Sequence, residues 1–290
     1  MNRNRQSPVP SARQPLAVVL GTNEIASAVA VHLKGGGFSV VLSHDPFPPV
    51  IRRAMAFHDA LYGDPAVLAL LHGELAETGP ELAVVSEKPD RIAVSPLHLS
   101  EILAWRTPQV LIDARMQKHR VTPDLRGIVR LTVGLGPNFA VGRNCDVAIE
   151  TRPRKAGGIV VRGRTDAADG VPPALGGVGK ERFAYAETDG LWHTPIEIGM
   201  RIYKDFVVGH LGRCAVRAPI DGHVRGIVRD SVKVEAGGKL LEIDPRGRKA
   251  VWTGMDDRGR AIARATMKAI RLYAGERANA REAAEPRART

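Results

Sequence analysis

Short apolar runs that stop at glycine organise the first half of the chain. Leu16-Ala17-Val18-Val19-Leu20 ends at Gly21 and reads as a buried strand. After it, Ile25, Ala28, Val29 and Leu33 recur at helical spacing, and Gly35-Gly36-Gly37 stops that helix. Phe38-Ser39-Val40-Val41-Leu42 is a second strand. Strand, helix and strand in such quick succession open a doubly wound α/β fold.

The alternation continues. Residues 49–62 read as a helix carrying Arg52 and Arg53, Leu82-Ala83-Val84-Val85 and Arg91-Ile92-Ala93-Val94 as strands, and residues 96–105 as a helix. Gln109-Val110-Leu111-Ile112-Asp113 and residues 128–133 are further strands, and Val147-Ala148-Ile149 closes the sheet. Strands that alternate with helices predict a mostly parallel sheet. From about Thr151 helical spacing disappears, and short β-rich runs alternate with glycine and proline turns; helical spacing returns only over residues 259–273. The expected organisation is a disordered arm over residues 1–14, a Rossmann-like domain over 15–150, a β-rich domain over 151–255, a C-terminal helix over 256–275 and a disordered tail over 276–290.

The β-rich part repeats itself. Glu187-Thr188-Asp189-Gly190-Leu191-Trp192 and Pro219-Ile220-Asp221-Gly222-His223-Val224 each place an Asp-Gly turn before a strand and a second β-rich stretch. Two such units resemble the barrel-sandwich hybrid of biotinyl and lipoyl domains. In carriers of that class a modified lysine sits on the hairpin between the halves. Here that stretch is His210-Leu211-Gly212-Arg213-Cys214-Ala215, and a guanidinium cannot form the attaching amide, so neither biotin nor lipoate is expected.

Charge and composition narrow the partners. A formal net charge of +11 over 290 residues favours an anionic partner: a phosphate-bearing cofactor, an acidic protein or nucleic acid. Aromatics are only 4%, with no aromatic-and-basic stripe, which argues against nucleic acid. Cys145 and Cys214 are too few for a disulfide framework or a cysteine zinc site. No run approaches the ~20 apolar residues of a membrane span, and the polar first residues lack the apolar core of a secretory signal. A cytoplasmic protein without membrane attachment is expected.

Candidate chemistry gathers where parallel strands end. Gly21 opens a loop placed like a dinucleotide fingerprint but without its second glycine, and Asp45 stands where an acid would meet a ribose hydroxyl. Gly134-Leu135-Gly136-Pro137-Asn138 offers a backbone nest for an anion, with Arg143, Arg152 and Lys155 to neutralise phosphate. Asp113 is placed to orient a cofactor or to pair with Arg115. Cys145, beside Arg143, is a possible reactive thiol, and Cys214 lies by the hairpin. No metalloprotease, P-loop or nucleophile-elbow motif occurs, so an enzyme is not indicated.

Several phrases, taken in order, point to a family. They are Pro49-Val50-Ile51-Arg52-Arg53, Val110-Leu111-Ile112-Asp113-Ala114-Arg115-Met116, Gly134 to Phe139 with Cys145 and Glu150-Thr151, Ala218-Pro219-Ile220-Asp221-Gly222, and Asp244-Pro245-Arg246-Gly247. Together they resemble the YqeB-type proteins, accessory factors of (selenium-dependent) molybdenum hydroxylase systems. The resemblance implies a Rossmann-like first domain, a maturation role beside a xanthine dehydrogenase-type enzyme, and molybdenum cofactor as a cofactor candidate; the other candidate, a nicotinamide dinucleotide, comes from the first loop and Asp45. The chain departs from the family at its first loop and at Arg152-Pro153-Arg154-Lys155. The implied partners are a client enzyme, a larger complex or a second copy of the chain. The alternatives are a non-catalytic scaffold subunit and an NAD(P)-dependent oxidoreductase that uses Asp45.

Overall fold

The apolar runs are buried on both faces, which is why they show no alternation. The computed structural model describes residues 13–118 and 120–284, with side chains to residue 275. The expected arm over residues 1–14 therefore lies almost wholly outside the described residues. Strands β1 (Leu16–Leu20), β2 (Ser39–Ser43), β3 (Val67–Leu68), β4 (Leu71–Leu75), β5 (Arg91–Ser95), β6 (Val110–Asp113), β7 (Leu131–Leu135), β8 (Val147–Ile149) and β9 (Ile159–Val160) form one sheet. Their order is β3-β4-β5-β2-β1-β6-β7-β8-β9. All neighbours from β4 to β8 pair in parallel, and only the edge strands β3 and β9 run antiparallel.

Helices cover both faces. Helix α1 (Glu24–Gly35) is capped by Asn23, whose side chain accepts from the amides of Ile25 and Ala26. Helices α2 (Gly79–Glu87) and α3 (Leu99–Trp105) place Leu82, Val85 and Ile102 against Leu16, Val18, Val41 and Leu111 on the other face. Helix α4 (Asp257–Ala284) returns from the C-terminal end of the chain and lies beside α1. Its Ile262, Ala263, Met267 and Ile270 share one core with Val19, Ile25, Val29 and Val40. Gly36 makes room for it, since a Cβ there would sit 2.5 Å from the Met267 methyl. The helix thus passes the expected end at residue 275, and the tail beyond Ala284 lies outside the described residues.

Two expected elements are different. Residues 82–85 are helix, not strand: Thr78 caps the turn, Pro80 occupies its start, and Val84 is exposed while Leu82 and Val85 are buried. Residues 49–62 do not form an α-helix. They make two short 3-10 turns, Arg53–Met55 and His58–Tyr62, because Arg52 and Arg53 are drawn across to the second half of the molecule.

That second half is two four-stranded antiparallel sheets. Its strands are β10 (Phe183–Tyr185), β11 (Gly190–His193), β12 (Arg201–Ile202), β13 (Val207–Leu211), β14 (Cys214–Arg217), β15 (Gly222–Ile227), β16 (Val232–Val234) and β17 (Lys239–Asp244). One sheet has the order β10-β17-β15-β12 and the other β14-β13-β11-β16. The repeat explains this. Strands β11, β12 and β13 of the first unit correspond to β15, β16 and β17 of the second, and the units exchange β12 and β16. Between the sheets lies a core of Trp192, Val208, Leu211, Val224, Ile227, Leu240 and Ile243. Trp192 is fully buried and its indole donates to the Val228 carbonyl at 3.1 Å. The halves are joined through residues 51–53: the Ile51 carbonyl accepts from the Ile227 amide at 2.8 Å, and Arg53 donates to the Ile227 carbonyl at 3.0 Å.

Candidate functional site

The glycine pair after β7 is filled by the chain itself. A Cβ on Gly134 would lie 2.1 Å from the Phe139 ring, which folds back over the strand. Gly136 has φ +115° and its amide points to the Ile149 carbonyl at 3.4 Å. Asn138, at φ +71°, donates its side-chain amide to the Lys118 carbonyl, and the Phe139 amide meets Thr165 Oγ1. Where an anion nest was expected, these residues have partners within the chain. An anion is nevertheless held nearby, and it belongs to the protein. The buried Glu150 carboxylate accepts from the amides of Thr151, Arg152 and Asp166 at 2.7, 2.8 and 2.8 Å.

The cations expected at the rim are also committed. Arg152 pairs with Asp166 and Asp169, and Lys155 with Asp166 at 2.8 Å. Arg143 is exposed on the loop beyond. Cys145 is 1% exposed, and burial pushes its thiol up to about 12, so it packs rather than reacts. Cys214 is exposed on β14.

The first loop is closed in the same way. Gly21 donates to the Ser43 carbonyl at 2.8 Å, and a Cβ on it would meet the Ala114 carbonyl at 3.0 Å. The amides that would cradle a pyrophosphate are bound by Asn23, whose own amide donates to Ala114. Asp113 is gripped by Arg115 through Nε and Nη2 at 3.0 and 2.6 Å, the structural ion pair of the two readings. Asp45 accepts from the Phe47 amide and from Gln117. The residues proposed to read a nicotinamide dinucleotide thus have protein partners.

A different group converges at the same edge of the sheet. Thr22, just after β1, meets His58 Nδ1 at 2.8 Å and His44 Nδ1 at 3.5 Å. The imidazoles of His44 and His58 lie 5.4 Å apart, and Tyr62 stands edge-on to His58 at 5.7 Å. His58 is 4% exposed; burial, then repulsion from His44, Arg53 and Arg229, lowers its pKa to about 3. Burial lowers His44 too, against the pull of Asp45. Arg229 crosses from the second half, 4.2 Å above the Tyr62 ring, and pairs with Asp64. With Phe47, Val50, Val228 and Lys233, the side chains of His44, His58, Tyr62 and Arg229 line a cavity of about 290 Å3 between the two halves. Both imidazoles are neutral at pH 7 and offer hydrogen-bonding edges, Tyr62 offers a ring face, and Lys233 supplies positive charge. Sequence reading missed this group because Thr22, His44 and His58 sit in three separate segments: Thr22 and His44 each follow a strand end, whereas His58 opens the 3-10 turn His58–Tyr62, and no short motif joins them.

No established family profile matches the chain. It is similar to the uncharacterized protein YqeB of Escherichia coli (strain K12), 30% identical over 264 residues, which is 91% of this chain and 48% of that protein. The chain thus spans about half the length of this curated relative. Among solved structures, the product-bound ectoine utilization protein EutE (DoeB) of Ruegeria pomeroyi aligns over 79% of this chain and 85% of its own, at 12% identity and a TM-score of 0.24. A succinylglutamatedesuccinylase/aspartoacylase of Rhodobacter sphaeroides aligns over 80% and 85%, at 7% identity and a TM-score of 0.27. Likeness that weak carries no argument about this chain. The sequence match to YqeB, spread over nearly the whole chain, supports a YqeB-type family for it.

Proposed function

We propose that this chain is an accessory protein for a molybdenum hydroxylase of the xanthine dehydrogenase type, and that it holds the ring end of a cofactor between its two halves. The observation that carries the binding part is the cavity of about 290 Å3 at the strand ends, walled by His44, His58, Tyr62 and Lys233. That size is near the lower bound of small-molecule pockets. It suits one ring system rather than a whole dinucleotide. Neutral imidazoles and a phenol suit the donor and acceptor edges of a pterin, and Lys233 suits an attached anionic arm. The YqeB-type resemblance supplies the client enzyme. The exchange of β12 and β16 between repeats supports a barrel-sandwich reading of the second half. In that reading the Gly212-Arg213 turn stands where a carrier would hold its lysine.

The test is native mass spectrometry of the gently purified protein, together with hydroxylase activity in cells that lack it. A bound molybdopterin that disappears in His58→Asn, and a hydroxylase that accumulates without its cofactor, are expected. Ligand-free protein together with a fully active hydroxylase in its absence would refute the reading.

A further inference from the structure

A second cavity lies on the outer face of the sheet β10-β17-β15-β12. Strand pairing sets Arg201 beside His223 and His223 beside Asp244, one residue from each of β12, β15 and β17. Directly opposed residues share a face, and their neighbours Ile202, Val224 and Ile243 belong to the core. Arg201, His223 and Asp244 therefore stand on the side away from that core. The chain that leaves β17 turns back over this side. Arg246 grips the buried Asp244 through Nε and Nη2 at 2.8 and 2.6 Å, and the Val251 amide donates to the same carboxylate at 3.0 Å. The Trp252 ring then stacks on His223, with 5.3 Å between centres and 17° between planes. Gly199 lets the chain before β12 close on the indole, since a Cβ there would sit 2.8 Å from Trp252 Nε1.

Between the strands and this returning segment is a space of about 350 Å3, lined by Arg201, Asp221, His223, Pro245, Arg248 and Trp252. Its hydrogen-bonding groups are unevenly matched. Arg201 and Arg248 are exposed, and neither guanidinium has an acceptor among the described residues; that of Arg201 stands 5.4 Å from the centre of the Tyr203 ring. The Trp252 indole N–H also lacks an acceptor among the described residues, and His223 Nδ1 is buried without a hydrogen-bond partner there. The lining carries one carboxylate, Asp221, which accepts from the Lys204 amide at 2.7 Å. Asp244, next to His223, is shared by Arg246 and, at 4.0 Å, by Arg225, so it adds no free negative charge. Two cations and one carboxylate leave the lining with a single positive charge.

These features select a class of ligand. A guanidinium fork matches the two oxygens of a carboxylate, and charge-assisted pairs of this kind are short and directional. Asp221 sets the charge: a monoanion balances the lining, and a dianion overshoots it. The indole and Pro245 offer an apolar wall to the carbon part of the ligand, and an indole packs well against a flat ring. The volume is near the lower bound of small-molecule pockets, room for one ring rather than a nucleotide.

We propose that this cavity binds a small aromatic monocarboxylate, with Arg201 and Arg248 on its carboxylate and Trp252 against its ring. This goes beyond the function proposed above and uses none of the residues of the His58 cavity. The test is a ligand-observed NMR titration of the full chain with benzoate at constant ionic strength, with benzamide and inorganic phosphate as further arms. Saturable benzoate binding is expected, weakened ~10-fold or more in both Arg201→Met and Arg248→Met, and benzamide should bind far more weakly than benzoate. Arg143→Gln, on the loop after β7, should leave benzoate binding unchanged. Both arginines of the cavity are exposed, so the variants should fold, which circular dichroism checks; should one not fold, the other decides alone. No saturable benzoate binding, or undiminished affinity in either folded variant, overturns the site. Benzamide binding as tightly as benzoate overturns the recognition of charge, and phosphate binding more tightly than benzoate at the same arginines overturns the carboxylate class. A negative result leaves the cofactor proposal standing, because its readouts depend on His58.

Discussion

Glu242→Gln is the perturbation that probes the junction most directly. The carboxylate is fully buried and is contacted by three guanidiniums, Arg52 from the first half and Arg182 and Arg225 from the second. Glutamine keeps the shape and one acceptor oxygen but removes the charge. Breaking a buried ion pair from one side costs about 3–5 kcal/mol, because the remaining cations stay desolvated without their counter-charge. With about 2–4 °C lost per kcal/mol in chains somewhat shorter than this one, the melting temperature should fall by roughly 10 °C. Urea and thermal melts monitored by tryptophan fluorescence would read this. A second substitution, Arg52→Met, removes the best-aligned cation, so the double variant should lose less than the sum of the singles. A loss below about 1 kcal/mol, or simple additivity with Arg52→Met, would refute the reasoning.

Two more outcomes follow from the geometry. His58 has a folded pKa of about 3 against 6.5 for the free side chain. The unfolded chain therefore takes up a proton that the folded one refuses, and stability falls as pH drops from about 6.5 towards 3. Near pH 5 this amounts to about 2 kcal/mol, and the difference in acid sensitivity between the wild type and His58→Asn in urea melts measures it. An identical pH dependence in both proteins would show that the imidazole is not held neutral. Gly134→Ala should cost about 1–3 kcal/mol by forcing a methyl into the Phe139 ring, and Phe139→Ala in the same chain should relieve much of it.

What the sequence disclosed follows from how local each cause is. Strands β1, β2 and β6 were readable because a strand buried on both faces is simply an apolar run. The repeat was readable through Asp189-Gly190 and Asp221-Gly222, whose turn chemistry is written in two residues; the exchange of β12 and β16 has no such short signature. Residues 82–85 misled because four apolar residues in a row fit a strand as well as a helix, and the deciding signal, Thr78 with Pro80, lay upstream. The candidate site was the hardest to see for the same reason carried further. Two glycines in sequence advertise free amides, but whether the loop is open depends on Phe139, Thr165 and Ile149. Their positions are set by the sheet and by the chain that follows it. Arg52 and Glu242 are 190 positions apart, and nothing near either residue announces the other. Charge balance in this molecule is a property of the junction between halves, where only the fold brings Arg52, Arg182 and Arg225 to one buried carboxylate.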